Sequence, residues 1–419
     1  MKPSLSRQIA VRMVAVAWAS SDRGLATVPL RAQLSAKYTD TFAYPTIKDR
    51  CPVILCKVID LLHRERNSLV RELGEAAREG LAKVLEQLSK LRYEMQTNKP
   101  LSPLEDCHPS SGAWNLYLAA RLEEEGAVAW FSSSWMWVEC YMYRRMAQAV
   151  NMAGPSLQGL DFFRGQKEEG FHSSLASMEI LGSWLVAQLA SSCPASQTWA
   201  TLLQVSLWGN KCDLSISAGA KNSALGDPVT GLQAMAERIL SNQGDEAWQR
   251  LEGRGAGALV DIVMDNSGFE LFTDLCLADF MVTSGVASKV RLRIKNQPWF
   301  VSDTTPRDLA WSLERLSASN VSCLSQLGRR WSGHLEQGLW TVHDDAFWTL
   351  PHCYHEMAAV DPQLYSELSQ VNWTLASGAA AFSPNTVIYS IFCWTGRNWE
   401  IWSQQFTLKT KDNYNTVSQ

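Results

Sequence analysis

The sequence predicts an α/β protein in which a mainly α-helical N-terminal region precedes a parallel sheet with helices on its faces. Apolar residues recur at helical spacing through roughly the first 200 residues. Beyond them, short apolar runs alternate with helical stretches in the order strand, helix, strand, helix, which is typical of parallel strands. The length of 419 residues exceeds what one core usually accommodates and indicates at least two domains.

The helical region is predicted from three stretches of the chain. Residues 42–95 carry apolar stripes at helical spacing, which indicate amphipathic helices. Residues 130–146 form a further apolar segment, and residues 173–208 predict two helices with a break near Pro194. The first 200 residues are therefore expected to form a mainly helical layer.

The α/β region is predicted from the residues that follow. Residues 258–264 form a short apolar run rich in β-branched residues, as in a buried strand, and residues 269–283 are apolar and long enough for a buried helix. Residues 289–294 alternate as a second strand. Thr305 is the predicted N-cap of the next helix, with Asp308 at its N3 position.

Charge and cysteine content exclude several classes of protein. The 38 Lys and Arg residues against 42 Asp and Glu give a net charge of −4, so no basic field favours nucleic acid as a partner. No run of 18 apolar residues occurs, so a membrane-spanning helix is not expected. The ten Cys residues contain no CxxC pair and are expected as free thiols in a reducing compartment, the cytoplasm or the nucleus.

The first 35 residues leave two interpretations open. They contain five Lys or Arg residues and a single acid, Asp22. An acid-poor, Arg-containing start is found in mitochondrial presequences, but a flexible extension with no targeting role has the same composition. We favour the flexible extension.

Chemistry-bearing side chains follow the first predicted strand. Asp265 and Asn266 come directly after it, Gly268 permits a tight turn into the helix, and Asp303 ends the segment after the second strand. Ligands of open α/β sheets bind beyond the carboxyl ends of strands. Two carboxylates and an amide oxygen there suit Mg²⁺ or Mn²⁺. The alternative is that Asp265 caps the helix and Asp303 starts a turn.

A resemblance to a known family bears on this choice. Residues 265–280, Asp-Asn-Ser-Gly-Phe-Glu-Leu-Phe-Thr-Asp-Leu-Cys-Leu-Ala-Asp-Phe, closely resemble the signature of the damage-control phosphatases, a family that includes the acidic-residue methyltransferase or sugar phosphate phosphatase. Further matches follow in the family's order at residues 42–50, 138–145, 206–215, 299–305 and 347–351. The resemblance spans about residues 35–370.

The resemblance implies a fold, a metal and a reaction. It implies a three-layer αβα Rossmann-like core behind the helical region, and a divalent metal (Mn²⁺, Ni²⁺ or Mg²⁺) held by Asp265, Asn266 and Asp303. Asp265 and Asn266 would also be catalytic and contact the substrate, a small sugar phosphate of the fructose phosphate type. Whether Asp265 attacks phosphorus or orients a water stays open.

The family also carries a second activity. This is transfer of a methyl group from S-adenosylmethionine to the carboxyls of exposed protein glutamates, and its cofactor assignment falls on Glu270 and Asp303. Against this alternative, no Gly-rich loop of the kind that binds a methyl donor follows a predicted strand.

The C-terminal end departs from the family pattern. After residues 364–368 the family continues with a strand and a Lys-Gly-Asp-Leu-Asn-Tyr-Arg-Lys motif that helps to bind the phosphorylated substrate, but residues 369–378 read Ser-Gln-Val-Asn-Trp-Thr-Leu-Ala-Ser-Gly. We therefore expect a lost strand, a sheet edge without its neighbour, and impaired activity. A catalytically inactive splice variant or a gene-model error is a further alternative.

These observations divide the chain into four parts. In order, they are a flexible extension (1–35), a helical domain (36–195), an α/β metal-dependent phosphatase core (196–370) and a divergent C-terminal tail (371–419).

Five other polar residues are candidates of lower rank. Asn210 and Asp213 follow a predicted helix, and either line the pocket, as the resemblance implies, or form a helix C-terminal turn. His343, His352 and His355 cluster in sequence, but their spacing fits no standard zinc pattern, so a structural role is favoured.

Three charged residues lie in the apolar segment 130–146. Glu139 is accompanied there by Arg144 and Arg145. A charge in an apolar stretch requires a partner, so a structural ion pair of Glu139 with these arginines is predicted rather than a site.

Overall fold

The computed structural model describes most of the chain between residues 33 and 410. The described ranges are 33–191, 194–209, 239–242, 244–253, 257–371, 373–376, 390–394 and 406–410. The predicted extension 1–35 lies almost wholly outside them, as do Asn210 and Asp213. None of the described helices is long and apolar enough to cross a membrane.

The N-terminal part is helical, as predicted. After a short helical turn (Ala43–Pro45) and a π-helical turn (Thr46–Arg50), its helices are α1 (Cys51–Arg64), α2 (Arg66–Leu73), α3 (Ala77–Gln96), α4 (Ser111–Glu125) and α5 (Trp135–Met152). The predicted stripes are buried: Ile54, Val58 and Leu62 on α1 face the same core as Leu81 and Leu88 on α3. Burial of these apolar faces is what holds short helices in place.

Helix α5 carries buried charges whose partners differ from the prediction. Glu139 accepts two hydrogen bonds from Arg50, at 2.5 and 2.6 Å, rather than pairing with Arg144 or Arg145. Arg144 pairs with Asp106 at 2.7 Å, and Arg145 pairs with a glutamate of α3. The predicted ion pair is therefore wrong in its partners, because residues five and six positions apart on α5 point to different neighbouring segments.

The next helices pack against the sheet. The predicted pair over residues 173–208 is confirmed as α7 (Leu175–Ala190) and α8 (Ala195–Gly209), preceded by α6 (Arg164–Ser173). Phe171, Leu181 and Leu185 belong to the hydrophobic core that the sheet shares. Residues before position 195, the predicted boundary between the helical domain and the α/β core, therefore already pack into the core of the sheet.

Seven described strands form one mixed sheet in the order β1-β7-β6-β5-β2-β3-β4. The strands are β1 (Ile239–Ser241), β2 (Ala258–Val263), β3 (Ala287–Arg293), β4 (Trp340–His343), β5 (Trp373–Ala376), β6 (Ser390–Trp394) and β7 (Phe406–Thr410). Strands β5, β2, β3 and β4 are parallel, and β6, β7 and β1 continue the sheet antiparallel. The predicted parallel sheet is confirmed, with β2 and β3 close to their expected bounds.

The connecting helices follow the predicted order. They are α9 (Gly244–Glu252), α10 (Phe269–Thr283), α11 (Pro306–Ser317), α12 (Ser322–Glu336), α13 (Met357–Val360) and α14 (Pro362–Gln370), with 3-10 turns at Ala346–Thr349 and Tyr354–Glu356. Helix α11 begins at the predicted capping box, in which the Thr305 side chain accepts from the Asp308 backbone and the Asp308 side chain accepts from Thr305.

The central strands present different chemistry on their two faces, which makes three layers. Val260 and Ile262 of β2 face the apolar core formed with the helices on one side. On the other side, buried Asp261 pairs with Arg291 and Arg293 of β3, and Arg293 pairs with Glu367 of α14 at 3.0 Å. Helix α14 thereby covers the charged face.

The expectation that the sheet loses a strand after residue 370 is wrong. Strand β5 pairs in parallel with β2, with Val260 opposite Trp373 and Val263 opposite Ala376. It also pairs antiparallel with β6. The sequence Trp-Thr-Leu-Ala differs from the family motif but still supplies β-forming residues.

Candidate functional site

The candidate site lies where the strand order reverses. From β2 the chain proceeds to β3 and β4 on one side, whereas β5 lies on the other side of β2. Such a switch point leaves a crevice beyond the carboxyl ends of the strands, where ligands of open α/β sheets bind. Asp265 and Asn266 follow β2 directly at this crevice.

Backbone hydrogen bonds join the two segments that carry the predicted ligands. Asn266 and Asp303 form an isolated antiparallel bridge. The Ser267 amide donates to the Ser302 carbonyl at 2.7 Å, and the Thr304 amide donates to the Asp265 carbonyl at 2.7 Å. Asp303 is thus brought beside Asp265 by a loop that folds back after β3, and not by the end of the strand itself.

Side-chain bonds fix the orientation of Asn266. Its amide oxygen accepts from the Ser302 hydroxyl at 2.5 Å. Its amide nitrogen donates to Asp265 at 3.1 Å and to Glu270 at 2.8 Å. The side chains of Asn266, Ser302, Asp265 and Glu270 are all buried, whereas that of the neighbouring Ser267 is partly exposed. An amide oxygen has two lone pairs, so it can accept from Ser302 and still contact another partner.

A lysine lies between the two carboxylates. The Lys295 ammonium is 3.4 Å from Asp303 Oδ2 and 3.9 Å from Asp265 Oδ1. Because one cation contacts both, the two carboxylates converge on a common volume. Buried like charges so close together require positive charge to stay ionised.

The loop that carries Asp303 is conformationally strained. Phe300 and Val301 both have positive φ, at 40° and 73°. A left-handed backbone is unfavourable for a bulky or β-branched residue and persists only where surrounding packing imposes it. Here Trp299 and Val301 are buried in the helical core, and Phe300 packs on Tyr143 with ring centroids 4.9 Å apart.

The charges of the site also shift the pKa values of residues outside the sheet. Burial raises the pKa of Tyr354 well above its usual value, and the charge of Asp265 adds to that shift. Burial likewise raises the pKa of Cys140, with Glu139 and then Asp303 as further causes. The charges of Asp265 and Asp303 therefore act on side chains of the 3-10 turn Tyr354–Glu356 and of helix α5.

The arrangement fits a divalent metal and disfavours the capping interpretation. Asp265, Asn266 and Asp303 offer two carboxylates and an amide oxygen, the hard donors that Mg²⁺ or Mn²⁺ takes. The N-cap of α10 is Gly268, and no side chain caps it. Asp265 instead contacts Asn266 and Lys295.

The residues predicted for S-adenosylmethionine are both in this site. Glu270, in the first turn of α10, accepts from Asn266, and Asp303 pairs with Lys295. Both residues therefore lie in the same site as the proposed metal ligands. Their positions alone do not distinguish phosphatase activity from methyl transfer.

The three candidate histidines do not form one group among the described residues. His352 lies 3.5 Å from Glu356, and His355 is exposed. His343 instead joins Asp345 and Glu367 in a group that could hold a metal ion, with ligand atoms within 4.8 Å of one another. Burial lowers the pKa of His343, with Arg293 as the next cause.

Arg293 already occupies the centre of that second group. Its guanidinium donates to Asp345 at 2.6 Å and to Glu367 at 3.0 Å. The cluster is therefore neutralised by a side chain of the chain itself, and no metal is needed to explain its acids.

Sequence reasoning did not identify Lys295, Ser302 or Tyr354 as neighbours of the site. Lys295 follows the predicted alternating strand 289–294 directly, and its charge at the end of that strand was the available signal. Tyr354 lies in a turn that is distant in sequence from Asp265, so no local sequence pattern indicates that it is near the site.

Comparisons with known proteins identify relatives of this chain. Residues 46–382 match the model of the "Damage-control phosphatase ARMT1-like domain". The chain is 42% identical over 360 residues to "Damage-control phosphatase ARMT1" of Mus musculus, covering 83% of this chain and 82% of the relative. The protein of that name from Homo sapiens is 40% identical over 369 residues, covering 84% and 83%.

A solved structure is also similar, at a greater distance. It is a duf89 family protein from Pyrococcus horikoshii, with 11% sequence identity and a TM-score of 0.38, covering 83% of this chain and 93% of that one. The family match extends to residue 382 and so includes β5, beyond the 35–370 span of the resemblance.

Proposed function

The chain belongs to the damage-control phosphatase ARMT1-like family, and on that premise we propose that it is a metal-dependent phosphatase of small sugar phosphates. The observation that carries the proposal is the convergence of Asp265, Asn266 and Asp303 at the switch point of the sheet. The proposed substrates are of the fructose phosphate type, and Mn²⁺, Ni²⁺ or Mg²⁺ is the proposed metal.

The chain's own residues would divide the work as follows. A bound divalent metal would supply positive charge to the phosphoryl oxygens. Asp265 would attack phosphorus or orient the attacking water, and Asn266, fixed by Ser302, would keep its amide oxygen directed at the metal position. The buried position of Asp303 excludes water that would screen these charges.

Phosphate release from fructose 1-phosphate, measured with Mn²⁺ and with EDTA, tests the proposal. We expect release that depends on metal in the wild type. Asp265→Asn and Asp303→Asn should each lower kcat/KM by about two to four orders of magnitude, because a lost metal ligand removes several kcal/mol of charge stabilisation. Asp344→Asn, an exposed acid on the loop after β4, is the matched control.

Two results of that experiment would count against the proposal. One is phosphate release that is equal in Mn²⁺ and in EDTA. The other is full activity of Asp265→Asn, since the substitution removes a carboxylate while it keeps the shape of the side chain.

Methyl transfer from S-adenosylmethionine to protein glutamates is the second proposal that the family suggests. It would use Glu270 and Asp303, which lie in the same site. Equilibrium binding of S-adenosylmethionine to wild type and to Glu270→Gln separates the two activities. Methyl transfer requires binding that Glu270→Gln weakens, whereas phosphatase activity requires no binding of this cofactor.

The sequence of the tail is expected to affect the rate of turnover, not the class of reaction. Residues 377–389, which follow β5, lie outside the described residues and lack the family's Lys-Gly-Asp-Leu-Asn-Tyr-Arg-Lys motif. We propose that turnover is weakened by the missing cations. We also propose a reducing compartment, the cytoplasm or the nucleus, in keeping with the free thiols of the described cysteines.

A further inference from the structure

Lys295 is held between the two segments that carry the metal ligands. Its backbone amide donates to the Thr304 carbonyl at 3.0 Å, next to Asp303. The preceding residue, Ile294, donates to the His343 carbonyl at 2.9 Å at the end of β4. The Lys295 backbone is thus fixed on both sides, so the direction in which its side chain leaves the sheet is set by the fold.

The ammonium group of Lys295 reaches the centre of the site. It lies 3.5 Å from the Met264 carbonyl, 3.4 Å from Asp303 Oδ2 and 3.9 Å from Asp265 Oδ1, and its side chain is 7% exposed. These separations exceed the about 2.8 Å of a short charge-assisted hydrogen bond. Because none of these three contacts is short, the ammonium can turn one of its donors toward an acceptor that enters between the carboxylates.

Other buried cations of the described chain are committed elsewhere. Arg293 pairs with Asp261 and Asp345, Arg144 pairs with Asp106, and Lys167 lies within 2.9 Å of two aspartates. Each of these pairs has at least one contact of 3.0 Å or less. Lys295, by contrast, pairs with the carboxylates of Asp265 and Asp303, the proposed metal ligands.

We propose that Lys295 binds a non-bridging phosphoryl oxygen of the substrate and neutralises its charge during hydrolysis. The inference rests on the proposed phosphatase function and names the cation that serves the phosphoryl group in a chain that lacks the family's basic motif. In the overall reaction, the bond from phosphorus to the sugar oxygen breaks and a bond from phosphorus to the oxygen of water forms. The proton released by water ends on the sugar oxygen, and Lys295 keeps its own proton throughout.

Binding measurements without turnover test this role. The probes are Mn²⁺ alone and then inorganic phosphate added to the Mn²⁺-loaded protein, both followed by calorimetry. For Lys295→Met we expect phosphate affinity to fall by about one to two orders of magnitude, the value of a lost charge-assisted hydrogen bond. Its Mn²⁺ affinity should be equal to or higher than that of the wild type, because a positive charge near the metal position is removed.

Two further variants control the measurement. Lys295→Arg keeps the charge and should lose less phosphate affinity than Lys295→Met. Lys289→Met makes the same substitution near the start of β3, the strand that precedes Lys295, and should bind both probes as the wild type does. If Lys295→Met fails to fold in a thermal melt, Lys295→Gln replaces it, since its amide can still donate to the Met264 carbonyl.

The outcomes separate the inference from the proposed function. Unchanged phosphate affinity in Lys295→Met would overturn the inference, as would Mn²⁺ affinity that falls in parallel with it, because the lysine would then only position the ligands. A different result would overturn the proposed function instead: no sugar phosphate tested releases phosphate, yet Lys295→Met shows the expected fall in phosphate affinity. The anion-binding role of Lys295 would then remain supported.

Discussion

Asn266 links the candidate ligands through its side-chain amide. The nitrogen donates to two acids, Asp265 and Glu270, while the oxygen accepts from Ser302. An amide can serve both roles because it combines a donor and an acceptor in one group. A carboxylate of the same shape has no donor and would face the two acids as a third negative charge.

Asn266→Asp should therefore destabilise the metal-free protein strongly. We expect a loss of about 3–5 kcal/mol in the free energy of unfolding, because two donated hydrogen bonds are replaced by like-charge contacts in a buried place. Urea unfolding in EDTA measures it. Asn67→Asp, at an exposed position of α2, is the control and should change stability by less than about 0.5 kcal/mol. Equal stability of the two variants would show that Asn266 is not held as described.

Thiol reactivity gives a second test at the scale of single residues. Burial raises the pKa of Cys51 and of Cys276 well above the usual range, so neither forms thiolate near pH 8. Cys107 is exposed. Under native conditions we expect iodoacetamide to label Cys107 at least about 100-fold faster than Cys51 or Cys276, as read by mass spectrometry of peptides. In denaturant the three rates should become similar; comparable rates in the native protein would contradict the burial.

Helices α11 and α12 approach each other closely at a glycine. A Cβ placed on Gly328 of α12 would lie 2.4 Å from the Ser317 amide nitrogen and 2.8 Å from the Leu316 carbonyl carbon. Both are backbone atoms at the end of α11 and have no rotamer by which to move away. The absence of a side chain at Gly328 therefore sets the separation of the two helices.

Gly328→Ala should destabilise the protein by about 1–3 kcal/mol or more, because the added methyl forces the helices apart. The same helix offers a matched control. A Cβ on Gly333 would meet only the end of the Gln337 side chain, at 3.7 Å. Gly333→Ala should stabilise by about 0.5–1 kcal/mol through helix propensity. Thermal melts compare the two, and a shift of the same sign in both would refute the packing explanation.

The sequence predicted those elements whose determinants are local. Helix α10, strand β2 and the capping box at Thr305 depend on neighbours in the chain, and all three are present. Partners that are distant in sequence were missed. Arg50 and Glu139 are 89 residues apart, and no pattern in either segment names the other. Strand β5 was missed because a departure from the family motif does not by itself imply loss of a strand: strand formation requires only β-forming residues and a free edge.

At the scale of the whole molecule, two hydrophobic cores meet at the loop that carries Asp303. Trp299 and Val301 are buried in the core of the N-terminal helices, whereas Leu292 and Ile294 are buried in the core of the sheet. One loop of the chain thus spans both cores within a few residues of Asp303, a proposed metal ligand. Relative movement of the cores would change the position of Asp303, so the site depends on both.

The tail supplies a prediction at the same scale. Strand β5 is in place beside β2, so only the segment after it lacks the family's cations. Replacement of residues 377–389 by a loop with the Lys-Gly-Asp-Leu-Asn-Tyr-Arg-Lys motif should raise kcat/KM for sugar phosphates by about two to four orders of magnitude, through two charge-assisted bonds of about 1.5–3 kcal/mol each. A loop of equal length with Ser in place of Lys and Arg is the control. Equal activity of the natural chain and both replacements would mean that the natural tail supplies its own phosphate contacts.

The position of β5 has a consequence for biosynthesis. Strand β2 is translated about 110 residues before its neighbour, which at about 5–20 residues per second leaves one side of β2 unpaired for roughly 5–20 seconds on the ribosome. An open edge that carries Val260 and Ile262 is a template for pairing with other nascent chains. Translation that stops before residue 373 would release a polypeptide with every proposed metal ligand and a permanently open edge, and such products would aggregate rather than accumulate as a smaller enzyme.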